Sequence, residues 1–337
     1  MGKVLVTGSA GFIGFHLVKA LLNAGYEVIG IDNINDYYDR SLKTDRLNNI
    51  DAFIKDGGLD KNYQFMKIDI ADHNALEVLF RDNSIDFVIN LAAQAGVRYS
   101  LENPRAYVSS NLVGFTNLLE CCRHASIKHL IFASSSSVYG MNAKQPFSVT
   151  DMTDNPISLY AATKKSNELL AHSYSHLFGL PCSGLRFFTV YGPFGRPDMA
   201  YYKFTKAISE GKAIDVYNHG DMKRDFTYVD DVVEGVIRLL GKPPAPQESN
   251  VTHAKAPFKV YNIGNNNPVT LRRFIRAIER AVGKKAIENS LPMQAGDVPV
   301  TYADIDDLAK VTGFQPSTSI GDGIDEFVRW YKFTNDL

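Results

Sequence analysis

Short apolar runs alternate along the first half of the chain with stretches in which apolar positions recur every three or four residues. The runs are Val4-Leu-Val6, Val28-Ile-Gly-Ile31, Phe65-Met-Lys-Ile68, Phe87-Val-Ile-Asn-Leu91 and His129-Leu-Ile-Phe-Ala133; the helical stretches between them include 12–24, 74–81 and 111–124. Several runs are apolar at consecutive positions, as in parallel strands covered by helices on both faces. This alternation predicts an α/β fold, a Rossmann-type doubly wound parallel sheet. Ser183-Gly-Leu-Arg-Phe-Phe-Thr-Val190 and Lys259-Val-Tyr-Asn-Ile263 predict further strands. After about residue 189 the rhythm breaks into short helices and Gly/Pro-rich segments at 192–197 and 241–257. The expected organisation is a larger domain of residues 1–188 with 226–264 and a smaller, partly interleaved domain of 189–225 with 265–337.

The remaining bulk properties narrow the picture. With 337 residues, 45% hydrophobic and 22% charged, the chain can bury a substantial core, and a net charge of -1 argues against a nucleic-acid or polybasic membrane surface. The N-terminus runs straight into the first strand pattern, and no apolar run reaches membrane-spanning length. Cys121, Cys122 and Cys182 lack metal-ligand spacing and read as buried reduced thiols of a cytoplasmic protein. His172 and His176 share a helix face with no third ligand nearby, so no metal site is expected.

Thr7-Gly-Ser-Ala-Gly-Phe-Ile-Gly14 follows the first strand and opens the first helix. The spacing of Gly8, Gly11 and Gly14 suits a tight turn that lets backbone N–H groups approach a pyrophosphate at a helix N-terminus. Phe12 and Ile13 belong to the same turn. Asp32 ends the second strand 18 residues beyond Gly14, placed to accept hydrogen bonds from an adenosine ribose. Positions 33–36, Asn33 among them, carry no Arg or Lys, which favours NAD over NADP. Asp69 and Ile70 follow the third strand, where an adenine edge is read. Leu91, Ala92 and Ala93 end the fourth, where small residues let the backbone pass close to a cofactor.

The fifth run ends in four serines, Ser134 to Ser137, and Tyr160 and Lys164 follow one helical turn apart. Such a set handles protons: a phenol as general base, a lysine to lower its pKa, a hydroxyl to hold the reacting group. Moving a phenol from near ~10 to about 7 takes roughly 4 kcal/mol of differential stabilisation. The spacing alone is weak, since Tyr63/Lys67 and Tyr202/Lys206 share it among 17 tyrosines. Tyr63 and Lys67 lie in a strand pattern, roughly 13 Å apart. Tyr202 and Lys206 share a helix turn but follow no serine-tipped strand.

Taken together, Thr-Gly-x-x-Gly-Phe-Ile-Gly14, Leu-Ala-Ala93, the serine row running into Val-Tyr-Gly140, Tyr-Ala-Ala-Thr-Lys164 and Leu-Arg-Phe-Phe-Thr-Val-Tyr-Gly-Pro193 resemble the extended short-chain dehydrogenase/reductase family. The likeness extends to at least Trp330. Gly195-Arg-Pro-Asp-Met-Ala200, Met222-Lys-Arg-Asp-Phe-Thr-Tyr228 and Met293-Gln-Ala-Gly-Asp-Val298 are most similar to its UDP-glucuronate 4-epimerases, with Ala295 where that subgroup usually has proline. The resemblance implies tightly bound NAD, a UDP-sugar substrate, a homodimer built on the helices near 111–124 and 160–178, and C4 epimerisation of UDP-glucuronic acid through a transient 4-keto sugar. It assigns Tyr160 as the base, Lys164 as its partner and Ser135 as the serine that acts with them. Asn111 and Phe187 join Asp69, Ile70, Tyr160 and Lys164 along the NAD site. Thr189, Arg196, Arg224 and Asp297 fall on substrate-side positions, and Arg98 is a further candidate.

Ser136 and Ser137 refine the expected reaction. A 4-keto uronate is a β-keto acid and loses CO₂ unless its carboxylate is held out of alignment with the carbonyl. Hydroxyls at 136, 137 and 189 suit that task. By resemblance, decarboxylases carry glutamate at position 137 and 4,6-dehydratases an Asp-Glu pair at 136–137; neither acid is present. The alternatives are 4-epimerisation of UDP-glucose or of a UDP-N-acetylhexosamine, decarboxylation of UDP-glucuronate, and, in a different class, a non-catalytic NAD(H)-binding regulator.

Overall fold

A computed structural model describes residues 2–59, 62–248, 255–293 and 298–337. Six strands, β1 (Lys3–Thr7), β2 (Glu27–Asp32), β3 (Tyr63–Lys67), β4 (Phe87–Asn90), β5 (His129–Ser135) and β6 (Cys182–Phe187), join Phe258–Ile263 in a seven-stranded sheet. All its pairings are parallel, and the spatial order is 3-2-1-4-5-6 followed by Phe258–Ile263. This is the doubly wound order, with the switch point between β1 and β4. Val4, Leu5 and Val6 are completely buried because both sheet faces are covered, which is why the strands read as unbroken apolar runs.

One face carries α1 (Phe12–Asn23), α2 (Arg40–Gly57) and the helix Val229–Leu240; their apolar residues form one core with Val4, Val6 and Ile263. The other face carries α3 (His73–Asp82) and the helices Phe115–Ala125 and Leu159–Phe178, packed against Leu5, Ile29 and Leu130. The three cysteines are buried; Cys121, Cys122 and Cys182 all belong to this second core. A third core gathers Tyr191, Tyr201, Phe226, Phe274, Ile324 and Phe327, away from the sheet.

Two expected elements take a different form. The run ending at Val190 divides: Cys182–Phe187 stays in the large sheet, whereas Thr189–Tyr191 turns away to pair in parallel with Phe226–Tyr228. Each of these short strands carries residues of the third core, so the division of the run is where the chain passes from one core to another. The helical stretch at 111–124 begins as a π-turn, Val108–Gly114, before the α-helix Phe115–Ala125. Asn111 sits in that wide turn, and π-turns are often found at functional sites.

Candidate active site

The carboxyl ends of β1 to β6 open into a cavity of about 1050 Å³ that continues over the third core. That lies at the upper end of the roughly 300–1,000 Å³ typical of a single drug-sized ligand, and suits two ligands end to end. Gly8, Gly11, Phe12, Ile13, Gly14, Asp32, Asn33, Asp69, Ile70, Leu91, Ala92, Ala93 and Phe187 line one part. Arg98, Ser135, Ser136, Ser137, Tyr160, Lys164, Thr189, Arg196 and Arg224 line the rest. Asn111, also singled out in the sequence, stands behind the wall, and Asp297 lies outside the described residues.

The glycine turn shows why its spacing matters. Gly8 has φ +71°, and a Cβ there would approach Ala92 N to 2.8 Å. A Cβ on Gly14 would lie 2.1 Å from the Gly8 carbonyl oxygen. The first residue of the turn must therefore coil left-handed, and the helix must pass directly over it. Thr7 ties this turn to β4: its hydroxyl donates to Asn90 Oδ1 at 2.6 Å and accepts Ala92 N–H at 3.1 Å. The bare backbone at the start of α1 fits a pyrophosphate. Asp32 accepts Ile34 N–H on Oδ1 at 2.8 Å, and no described residue donates to its Oδ2, which suits a ribose hydroxyl. Asn33 donates from Nδ2 to Asp69 Oδ2 at 2.9 Å, bracing the ends of β2 and β3 against each other.

Behind this wall Asn111 grips the loop after β4, accepting Gln94 N–H at 2.8 Å and donating to Gln94 O and Thr163 Oγ1 at 3.0 Å each. Its own carbonyl accepts from Asn167 at 2.6 Å. The expectation that Asn111 lines the groove gives way to a bracing role between that loop and the helix Leu159–Phe178.

That helix presents Tyr160 and Lys164 from its first turns, with Ser158 capping the N-terminus through Ala161 N–H at 3.1 Å. Lys164 is buried, and its ammonium donates to Ala133 O near the end of β5 at 2.8 Å. Burial lowers its pKa to about 8. Burial also pushes the Tyr160 phenol up, while the Ser135 hydroxyl and the Arg196 charge pull it down. The sequence led us to expect Lys164 to depress the phenol; in the protein alone, desolvation outweighs the groups that pull it down.

The four serines divide their work. Ser134 donates to Glu168 at 2.6 Å, and Glu168 forms a two-pronged pair with the buried Arg186, 2.8 Å on each side. Ser135, facing Tyr160, accepts Ser137 N–H at 3.2 Å and so starts a 3₁₀ turn over Ser136–Tyr139. That turn aims Ser136 and Ser137 into the cleft rather than along the sheet.

On the far side, Arg196 is held by Asp198, with Nε 3.0 Å from Oδ1 and Nη2 2.6 Å from Oδ2, and the Tyr37 hydroxyl approaches Asp198 at 3.4 Å. Arg224 donates to the carbonyls of Lys223 and Pro299 at 3.0 and 3.1 Å. Asp225 is not its ion-pair partner; that carboxylate is buried and accepts N–H bonds from Asn265, Asn266 and Ala303. Arg98 lies over the Tyr217 ring, 5.7 Å from its centroid. Arg46 links the two ends of the cleft: completely buried, it donates to Ala10 O in the glycine turn, to Tyr38 and to Phe194 O in the loop 192–197. Lys43, Arg46, Tyr37 and Asp198 had escaped the sequence reading. Among the described residues no group of three metal-ligating side chains occurs; His172 stands edge-on to Phe258 and His176 meets Lys255 O.

Residues 4–264 match the profile of the NAD dependent epimerase/dehydratase family. The chain belongs to this family. Among its relatives is Protein CapI of Staphylococcus aureus, 57% identical over 335 residues and covering 98% of both chains. A probable UDP-glucuronate 4-epimerase of Rhizobium meliloti is 49% identical, with 98% of this chain and 96% of that one aligned. Among solved structures, the UDP-glucuronic acid 4-epimerase of Bacillus cereus in complex with UDP-glucuronic acid and NAD superposes with a TM-score of 0.85. It is 36% identical and covers 98% of this chain and 99% of its own. Membership in this NAD-dependent family makes NAD the cofactor of this chain. It also sets the seven-stranded sheet among Rossmann-type folds.

Proposed function

We propose that this protein is an NAD-dependent UDP-glucuronate 4-epimerase, interconverting UDP-glucuronic acid and UDP-galacturonic acid. The observation that carries the reading is the meeting of Ser135, Tyr160 and Lys164 in a cleft whose adjacent hydroxyls, Ser136, Ser137 and Thr189, stand where no carboxyl side chain is supplied. Tyr160 takes the proton of the C4 hydroxyl and later returns it, with Ser135 hydrogen-bonded to the same oxygen. NAD, when bound, supplies a hydride acceptor that hands the hydride back within one turnover. Lys164, whose ammonium already reaches the end of β5, lowers the cost of charging Tyr160 once a bound ligand draws the two groups together.

Inversion requires that the 4-keto sugar turn over before the hydride returns. Hydroxyl donors at 136, 137 and 189 hold a uronate carboxylate without fixing it rigidly, and Arg196 adds a cation held in place by its ion pair with Asp198. Arg224 is placed for the diphosphate of the substrate. An acid at 137 would be placed to assist loss of CO₂ from the 4-keto uronate. Ser137→Glu should therefore slow epimerisation and release a UDP-pentose, which chromatography of the products detects.

The cleft lies between the sheet and the third core, which supports a nucleotide lobe of 1–188 with 226–264, except that the strand Phe226–Tyr228 belongs with the third core, and a substrate lobe from most of the rest. Within 265–337, Ala303, Leu308 and Phe314 pack instead on the sheet side. A dimer through the helices Phe115–Ala125 and Leu159–Phe178 is supported by exposed Leu169, Leu177 and Phe178; Leu118 and Leu119 face the monomer core. No described helix is long and apolar enough to cross a membrane.

The deciding experiment is incubation of the purified protein with UDP-glucuronate and separate incubation with UDP-glucose. UDP-galacturonate as the main product, formed faster than UDP-galactose from UDP-glucose, is the expected result. A UDP-pentose, faster turnover of UDP-glucose, or no transient NADH absorbance with any UDP-sugar would overturn it.

A further inference from the structure

A buried lysine stands where the adenosine end of the cleft meets β2. Lys43 enters from α2 and is only 5% exposed, yet it lines the cleft together with Asp32. Its ammonium donates to Asp32 Oδ1 at 3.0 Å and to Asn35 Oδ1 at 3.2 Å, and lies 5.8 Å from the centroid of the Tyr38 ring. Ile34 N–H takes the same Asp32 oxygen at 2.8 Å. Asp32 is thus pinned by Oδ1 and presents Oδ2 to the cleft.

Positions 33–36 carry no cation, and on the sequence alone the charge of Asp32 accounts for exclusion of a 2′-phosphate. The structure alters that account. The Asp32–Lys43 pair carries no net formal charge, and the ammonium lies against the carboxylate at 3.0 Å. It is already stripped of most of its water, so a phosphate that reached it would form charge-assisted hydrogen bonds without a further desolvation cost to the lysine. We propose that Lys43 is a latent 2′-phosphate subsite: paired with Asp32 it orients that carboxylate toward a ribose diol, and with the carboxylate removed it binds the phosphate. Asp32 alone then separates an enzyme that keeps NAD from one that accepts NADP. This rests on the dinucleotide reading of the cleft given above.

The test is competition for the cofactor site. Holoenzyme is incubated with equal NAD and NADP and passed through gel filtration, and the released nucleotides are separated and counted. Wild type that holds no NAD or NADH, even after incubation, defeats the dinucleotide reading and is distinguishable from failure of this inference. Asp32→Ser, which keeps an acceptor for Ile34 N–H, should move the bound ratio toward NADP by about tenfold or more. Adding Lys43→Met should reverse that gain. No movement in Asp32→Ser, or a gain that survives loss of Lys43, overturns the proposal. Should Asp32→Ser not fold, Asp32→Asn, which keeps an Oδ1 acceptor for Ile34 N–H, decides in its place: the ratio should move about tenfold toward NADP with Lys43 present and not with Lys43→Met added. An unchanged ratio there overturns the assignment.

Discussion

At the scale of single residues, the cleft separates groups that look alike in the sequence. Tyr63, Tyr160 and Tyr202 each precede a lysine by four residues, but Tyr63 and Lys67 mark the two ends of β3 and Tyr202 packs among Phe327, Trp330 and Tyr331. Only Tyr160 faces a serine and a buried lysine across one opening. Tyr160→Phe should lower the rate of UDP-galacturonate formation by about 10²–10⁴-fold while leaving bound NAD in place, as read from initial rates and from nucleotide content. The serine row, the glycine turn and Asp32 were legible because each sits at the end of an apolar run, where a strand must stop and its side chains must point into a crevice. Lys43 and Asp198 were not legible. Their importance comes from partners 11 residues away in one case and only 2 in the other, and neither pairing leaves a spacing that distinguishes it from an ordinary surface ion pair.

At the scale of elements, legibility followed how apolar the buried stripe is. β1, β4 and β5 announce themselves as unbroken apolar runs. α2 does not: its inward face carries Lys43, Arg46, Ile50 and Ile54, so half of the stripe that defines the helix is charged. The helix is nevertheless well defined, with Asp39 accepting Ser41 N–H at 2.9 Å and Gly58 closing the far end at φ +63°. The turn that breaks the run at Phe188 was hidden because both halves are apolar for different cores. The helix that carries Tyr160 is tied to β5 through Ser134 and to β6 through the Glu168–Arg186 ion pair, whose two side chains are each only a few percent exposed. Removing only the cation leaves an uncompensated carboxylate beneath the site. Arg186→Met should cost about 3–5 kcal/mol, measured as a lower urea midpoint, and should reduce activity through displacement of Tyr160 rather than through any contact with substrate.

At the scale of the whole molecule, two histidines act as acid-sensitive rivets. His129 lies 3.0 Å from Leu240 O and 2.8 Å from Ser183 Oγ, joining β5 to its neighbours, and His16 lies 2.9 Å from Pro193 O. Burial lowers both to about 4 from an ordinary 6.5. Between those values the unfolded chain binds more protons than the folded one, so these residues favour folding least on the acid side, and stability should fall as pH drops from 6.5 toward 4. Urea midpoints at pH 7 and pH 5 should show the loss, and His129→Gln, which keeps a donor and an acceptor without the titration, should make it smaller. A midpoint that does not depend on pH over this interval would falsify the assignment.

Arg46 gives the molecule a property that neither lobe has alone. Its guanidinium is the keystone shared by the turn beneath the dinucleotide and the loop beside the sugar. The two rims thus share one buried anchor. Where a sugar nucleotide tightens its rim through Arg46, linkage requires that the affinity for the dinucleotide rise by the same factor by which the dinucleotide raises that for the sugar nucleotide.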